Sequence, residues 1–116
     1  MKHHSISFIG GGNMAGSLIG GLIADGYAPE RLTVADVDEG RRERLRERFG
    51  IRAALSNAEA ALHGDVLVIA VKPQMVEAVA QELGSVLRDG ARLVISVAAG
   101  IRTESLAAWL GGNLPV

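Results

Sequence analysis

Five times along the chain a short apolar run gives way to a stretch with helical spacing, and this alternation constrains the fold most. The apolar runs cover residues 6–9, 32–35, 51–54, 65–71 and 93–97. The longest of them, Asp65-Val66-Leu67-Val68-Ile69-Ala70-Val71, has no polar residue after its first position, as a central strand buried on both faces should. Strands alternating with helices imply a parallel sheet covered by helices on both sides. The chain's 116 residues suit one domain, and no repeat, low-complexity tract or composition shift divides it. With 48% hydrophobic but only 3% aromatic residues, its core must be built from Val, Ile, Leu and Ala.

Local signals place the helices. After the first strand, Met14, Leu18 and Leu22, with Ile19 and Ile23 beside them, form a stripe expected to lie on the sheet. Gly20 and Gly21 inside that helix cost about 1 kcal/mol each relative to Ala, which implies packing close to a neighbouring backbone. Glu39 to Phe49 reads as a charged helix with Leu45 and Phe49 inward, supported by the pairs Glu39/Arg42 and Glu43/Arg46. Ser56-Asn57-Ala58-Glu59 has capping-box spacing, so a short helix is expected to reach His63 and stop at Gly64. Lys72-Pro73-Gln74 ends the fourth strand, and Met75, Val76, Val79, Leu83 and Leu87 mark the next helix. Thr103 is suited to cap a last helix carrying Leu106, Trp109 and Leu110, before an apolar ending at Leu114-Pro115-Val116.

Other features remove whole classes of function. A net charge of −1 leaves no electrostatic footprint for nucleic acid or a membrane surface. Without cysteine there is no disulfide framework or thiolate chemistry. Apolar runs of about seven residues are far short of a membrane span, and no signal pattern opens the chain, so a cytoplasmic protein is expected. His3 and His4 read as a frayed terminus rather than a metal site. His63 at a helix end and Ser96 within a strand have no partner in sequence for acid–base or nucleophilic work. No catalytic residue and no metal site is therefore expected.

In a sheet of this kind ligands sit at the carboxyl ends of the strands, near the switch point of the topology. Four loops fall there, at residues 10–15, 36–39, 72–74 and 98–100. The first joins strand to helix without a spacer and fits G-x-G-x-x-A at Gly10, Gly12 and Ala15. Gly10 permits the sharp turn, Gly12 leaves its backbone open to a pyrophosphate, and Ala15 lets the helix pack against the strand. The N–H groups and positive dipole end of that helix then face the phosphates. Asp36, 21 residues beyond Ala15, stands close to where the pattern puts an acid against the adenosine ribose. The expected fold is therefore a Rossmann-like, doubly wound three-layer α/β/α domain over residues 1–116.

Three blocks carry a family resemblance. Phe8-Ile9-Gly10-Gly11-Gly12-Asn13-Met14-Ala15, Val68-Ile69-Ala70-Val71-Lys72-Pro73-Gln74 and Ile95-Ser96-Val97-Ala98-Ala99-Gly100-Ile101 resemble the amino-terminal half of pyrroline-5-carboxylate reductase, in order and spacing. The resemblance implies NAD(P)H-dependent reduction of a small cyclic imino acid, 1-pyrroline-5-carboxylate, to L-proline. It places cofactor contacts on Ile9, Gly10, Gly11, Gly12, Asn13 and Met14, then on Asn57, Ala70, Val71, Lys72 and Pro73, and on Val97, Ala98 and Ala99. Ala70, Val71 and Pro73 offer an apolar wall for a nicotinamide-ribose, while Lys72 either touches the cofactor or pairs with an acid. The resemblance also implies a helical carboxy-terminal domain, absent from this chain, that completes the imine site and builds a homo-oligomer.

The choice of dinucleotide divides the residues. Asp36, with Asp38 adding to the field, would accept from a free ribose 2′-hydroxyl and favour NAD. Arg41 and Arg42 open the next helix where a 2′-phosphate would lie, and the family resemblance tips the expectation to NADP(H). Two other readings stand beside the reductase piece: a dinucleotide-binding or sensing module that works alone, and a related reductase of another substrate, 3-hydroxyacid- or coenzyme F420-linked. The apolar ending weighs against the first of these, and the Lys72-Pro73-Gln74 and 96–101 blocks against the second.

Overall fold

The computed structural model describes residues 4–86 and 93–96. In chain order these form β1 (Ile6–Ile9), α1 (Asn13–Ala24), β2 (Leu32–Ala35), α2 (Glu39–Phe49), β3 (Arg52–Ala54), α3 (Asn57–His63), β4 (Val66–Ile69), α4 (Val76–Val86) and β5 (Leu93–Ser96). Short 3₁₀ turns at Pro29–Arg31 and Pro73–Met75 lead into β2 and α4. The strands make one parallel sheet in the order β3-β2-β1-β4-β5. The chain thus builds outward from β1 to β3, returns, and continues on the other side. β1, not the longer run at 65–71, takes the middle of the sheet. That run also pairs only as far as Ile69, because Gly10 turns β1 away once the Ala70 N–H has donated to the Ile9 carbonyl (2.8 Å).

Alternate side chains of each strand feed two cores. On one face Ile6, Phe8, Leu32, Val34, Val66 and Val68 meet Ala15 and Ile19 of α1 and Leu45 of α2. On the other, Ile9, Ala35, Ala54, Leu67, Ile69 and Val94 meet Ala60 and Ala61 of α3 and Val76, Val79, Ala80 and Leu83 of α4. Each fully buried Leu or Ile contributes about 2 kcal/mol.

The face of α1 differs from the expected stripe by one position. Met14 and Leu18 are 54% and 37% exposed, whereas Ala15 and Ile19 are completely covered. The helix starts so close to β1 that only a small side chain fits at the first contact, and Ala15 in that place sets the rotation of everything after it. The two helix glycines differ as well. A Cβ on Gly20 would lie 3.5 Å from the Phe49 ring rather than meet a backbone, and one on Gly21 would meet open space.

Polar contacts tie the layers together. The Ser7 hydroxyl donates to the Ala60 carbonyl (2.6 Å) inside the core, satisfying an acceptor in the last turn of α3. Gly64 must stay small for this, since a Cβ there would lie 2.6 Å from Ser7 Oγ. The Ser56 hydroxyl accepts from the Glu59 N–H as the capping box requires. Glu59 itself reaches one residue further back, to the Leu55 N–H (2.9 Å). Glu43 and Arg46 pair at 2.8 Å, while Arg42 turns from Glu39 to the Asp36 carbonyl (2.9 Å). His4 is held rather than frayed: its carbonyl accepts from the Tyr27 hydroxyl, and its ring lies 3.7 Å from Asp65. His3, Leu87, Val97, the 98–100 loop, the 103–110 helix and the 114–116 ending lie outside the described residues. Among the described residues no helix is long and apolar enough to cross a membrane.

Two glycine substitutions should move stability in opposite directions in denaturant titrations. Gly64→Ala has to displace the buried Ser7 and should cost about 1–3 kcal/mol. Gly21→Ala meets nothing and should gain up to about 1 kcal/mol from helix propensity.

Candidate functional site

The topology opens a crevice where the chain changes direction, at the carboxyl ends of β2, β1 and β4. Here the Gly10 N–H donates to the Ala35 carbonyl (2.7 Å), beside the bond from Ala70 to Ile9, so three strand ends are stitched side by side. Gly10 has φ +103°, and a Cβ on it would meet the Ala70 carbonyl oxygen at 2.8 Å. The turn therefore needs glycine twice over, for its backbone angle and for its distance from β4.

Beyond that turn lies a cleft of about 450 Å³. Of the sequence-predicted residues, Gly10, Gly11, Gly12, Asn13, Met14, Asp36, Asn57, Ala70, Val71 and Lys72 line it. Ile9 and Ala15 are fully buried and support the loop from behind, in the two cores. Pro73 is exposed, opens the 3₁₀ turn and is not part of the lining. Val97, Ala98 and Ala99 lie outside the described residues.

Three lining residues were not foreseen, Ala35, Met75 and Val79, while Val37 falls within the 36–39 loop already placed there. Val37 directly follows Asp36 and is 92% exposed, a position beyond a strand end that sequence alone already made available to a ligand. Met75 and Val79 read as core residues of a helix; Val79 is in the core and also lines the cleft, whereas Met75 closes the 3₁₀ turn before α4 and is exposed. Arg41, weighed together with Arg42, lines the cleft; Arg42 does not.

The chemistry of the lining is uneven. α1 begins after Gly12 with no side-chain cap and no acidic residue in its first turn. The N–H groups of Gly12, Asn13, Met14 and Ala15 have no acceptor among the described residues, which makes this end of the cleft a ready anion site. Opposite stands a network around Asp36, whose side chain is only 7% exposed. Its Oδ2 accepts from the Gly11 N–H (2.6 Å) and its Oδ1 from the Asp38 N–H (2.8 Å). Arg41 Nε lies 3.8 Å from Asp36 Oδ2 and 3.5 Å from Asp38 Oδ2, and its Nη1 is the nearest group to a Cβ built on Gly12, at 3.7 Å.

Asp38 caps α2, accepting from the Arg41 N–H (3.2 Å). That bond is the largest influence on its carboxyl; desolvation opposes it, and the Gly40 N–H and the Arg41 charge add to it, so the group is held below the usual 3.8. On the remaining wall, the Asn57 amide donates to Glu82 (3.0 Å), tying α3 to α4 at the cleft's edge. Lys72 is exposed and forms no ion pair among the described residues, so of its two readings the pairing with an acid is not made there.

Residues 5–100 match the family model described as NADP oxidoreductase coenzyme F420-dependent. The whole chain is 46% identical, over 116 residues, to a pyrroline-5-carboxylate reductase of Pseudomonas aeruginosa, of which it covers 42%. In structure it is similar to a pyrroline-5-carboxylate reductase from Coxiella burnetii, with a TM-score of 0.90 and 41% identity over 93% of this chain and 40% of that one. It also shares the fold of Plasmodium falciparum pyrroline carboxylate reductase, solved with NADP bound, at a TM-score of 0.82 and 24% identity over 97% of this chain and 40% of that one. The chain thus spans about two-fifths of the length of the curated relatives it matches.

The charged cap at Asp38 makes stability depend on pH in a defined direction. A depressed folded-state value means its contribution is complete above pH 3.8 and is lost as pH falls through that depressed value. The gap in thermal midpoint between wild type and Asp38→Ala should therefore be widest above pH 3.8 and close on acidification. A gap that does not change with pH would remove the carboxylate charge from the account.

Proposed function

We propose, from the premise that this chain belongs to the family of coenzyme F420-dependent NADP oxidoreductases, that it is the NADP(H)-binding part of a reductase converting 1-pyrroline-5-carboxylate to L-proline. The observation that carries this is the cleft itself. N–H groups that have no acceptor among the described residues face a cation, Arg41, at a glycine turn, and an apolar wall of Ala70, Val71 and Met75 adjoins them. These parts fit a dinucleotide: phosphate against the helix start, a flat ring against the apolar wall. The relatives support the substrate, since those from Pseudomonas aeruginosa and Coxiella burnetii are named pyrroline-5-carboxylate reductase.

In this reading Gly10, Gly11, Gly12, Asn13 and Met14 hold the pyrophosphate, Asn57 and Lys72 flank the bound molecule, and Ala70 and Val71 seat the nicotinamide end. The family resemblance assigns cofactor contacts to Val97, Ala98 and Ala99 as well. When bound, the reduced nicotinamide supplies the hydride that the imine carbon takes up. This chain's residues orient that group and keep the wall beside it apolar. A helical carboxy-terminal domain, matching the remaining length of the relatives, completes the imine site and builds the homo-oligomer, and the reaction belongs in the cytoplasm.

Arg41 favours NADP(H) over NAD(H). It is the cation that lines the cleft beside the Gly12 backbone, and its planar fork suits a 2′-phosphate.

Titration with NADPH and NADH, followed by nicotinamide fluorescence, tests the assignment; no saturable binding of either would overturn it. Gly12→Val should abolish binding with the far-ultraviolet spectrum unchanged. Arg41→Ala should weaken NADPH by about tenfold, the scale of one charged hydrogen bond, with NADH nearly unaffected. Equal loss of both would take the 2′-phosphate away from Arg41. Oxidation of NADPH by the full-length gene product on adding pyrroline-5-carboxylate tests the substrate.

A further inference from the structure

We infer that Asp36 is a positioning residue for the glycine loop and does not read the adenosine ribose. The inference rests on the dinucleotide reading above and reassigns one residue within it. An acid at the end of the second strand ordinarily presents its oxygens to the ribose hydroxyls. Here each oxygen already accepts one backbone hydrogen bond, leaving one lone-pair site on each. Oδ2 accepts from Gly11 at 2.6 Å, the length of a strong charge-assisted bond, and Oδ1 accepts from Asp38 at 2.8 Å. Arg42 Nη1 binds the Asp36 carbonyl from below (2.9 Å), so the residue is pinned through its backbone as well. With its side chain 7% exposed, little of the carboxylate remains for a ligand to reach.

What this bond controls is the loop. Gly11 sits between Gly10, whose conformation β4 fixes, and Gly12, where the run of N–H groups without an acceptor begins. Its Cα face is closed on the same side. A Cβ there would lie 3.1 Å from Leu45 Cδ1, 3.2 Å from Asp36 Oδ2 and 3.4 Å from Val34 Cγ2. Gly11 is therefore held down against β2 and α2 by packing and by one charged hydrogen bond. With its N–H directed to Asp36, those of Gly12, Asn13 and Met14 stay arranged at the cleft for an anion. Such preorganisation raises affinity for every ligand that places phosphate there, whatever its ribose carries.

The ribose-reading alternative makes the opposite forecast, so the ratio of two affinities separates them. Asp36→Asn keeps the shape but cannot accept from both N–H groups. It should weaken NADPH and NADH alike, by about tenfold, with their ratio conserved within about threefold. In the same variant the Gly11 amide proton should lose its downfield shift and its protection from exchange, while the β1 and β2 amides keep theirs. A selective loss of NADH, or an unchanged Gly11 amide, would overturn the inference. If wild type binds neither cofactor and the Gly11 amide still responds, the cofactor reading fails and the brace stands. Should Asp36→Asn not fold, wild type titrated with NADH lacking the adenosine 2′-hydroxyl decides the matter. Binding within about threefold of NADH supports the brace, and a tenfold loss overturns it.

Discussion

The contact between Gly10 and the Ala70 carbonyl governs this molecule. Two parallel strands end side by side, and the chain of the first turns away over the end of the second with no room for a Cβ. The turn aims α1 back along the sheet, and closeness again decides that Ala15, not Met14, faces the strand. It also leaves the first N–H groups of α1 at the mouth of a crevice rather than against protein. A larger residue at position 10 would open the strands and the crevice together, so fold and site share one steric condition.

Electrostatics supplies a second condition on the opposite wall. Asp36 and Asp38 gather N–H groups from Gly11, Asp38 and Arg41, and Arg41 lies between the two carboxylates within 4 Å of both. The acids thus settle the loop and the start of α2 while keeping a cation at the cleft. Charges that read as competing signals for NAD and NADP in the sequence form a single network in space. The acid nearest the glycines accepts from one of them, and the arginine lines the cleft within 4 Å of both acids.

Much of this architecture is written locally. Runs of β-branched residues between helical stripes determine the parallel sheet and its five strands, and the glycine turn locates the crevice, because burial on both faces and a tight strand–helix junction each demand particular residue types. Ser56 and Glu59 announce the start of α3 for the same reason, since capping acts over a few residues. The Val-Lys-Pro-Gln block identified the relatives, whose match covers this chain and about two-fifths of their own length.

Other features arise only when distant segments meet. No pattern in 65–71 shows that β1 rather than this run takes the middle of the sheet, because strand order depends on which way each crossover turns. Nothing around Gly21 separates it from Gly20, yet Gly21 has open space and Gly20 has Phe49, 29 residues further along the chain. Met75 lines the cleft from the 3₁₀ turn before α4 and is exposed there, which helical periodicity does not record. The sequence by itself determined that an acid and two arginines stand beside the glycine loop. Only the tertiary structure decided that the acid faces the loop and that Arg41 rather than Arg42 faces the cleft. The physical reason is that partners 25 residues apart are chosen by packing between β2, α2 and the loop, not by spacing along the chain.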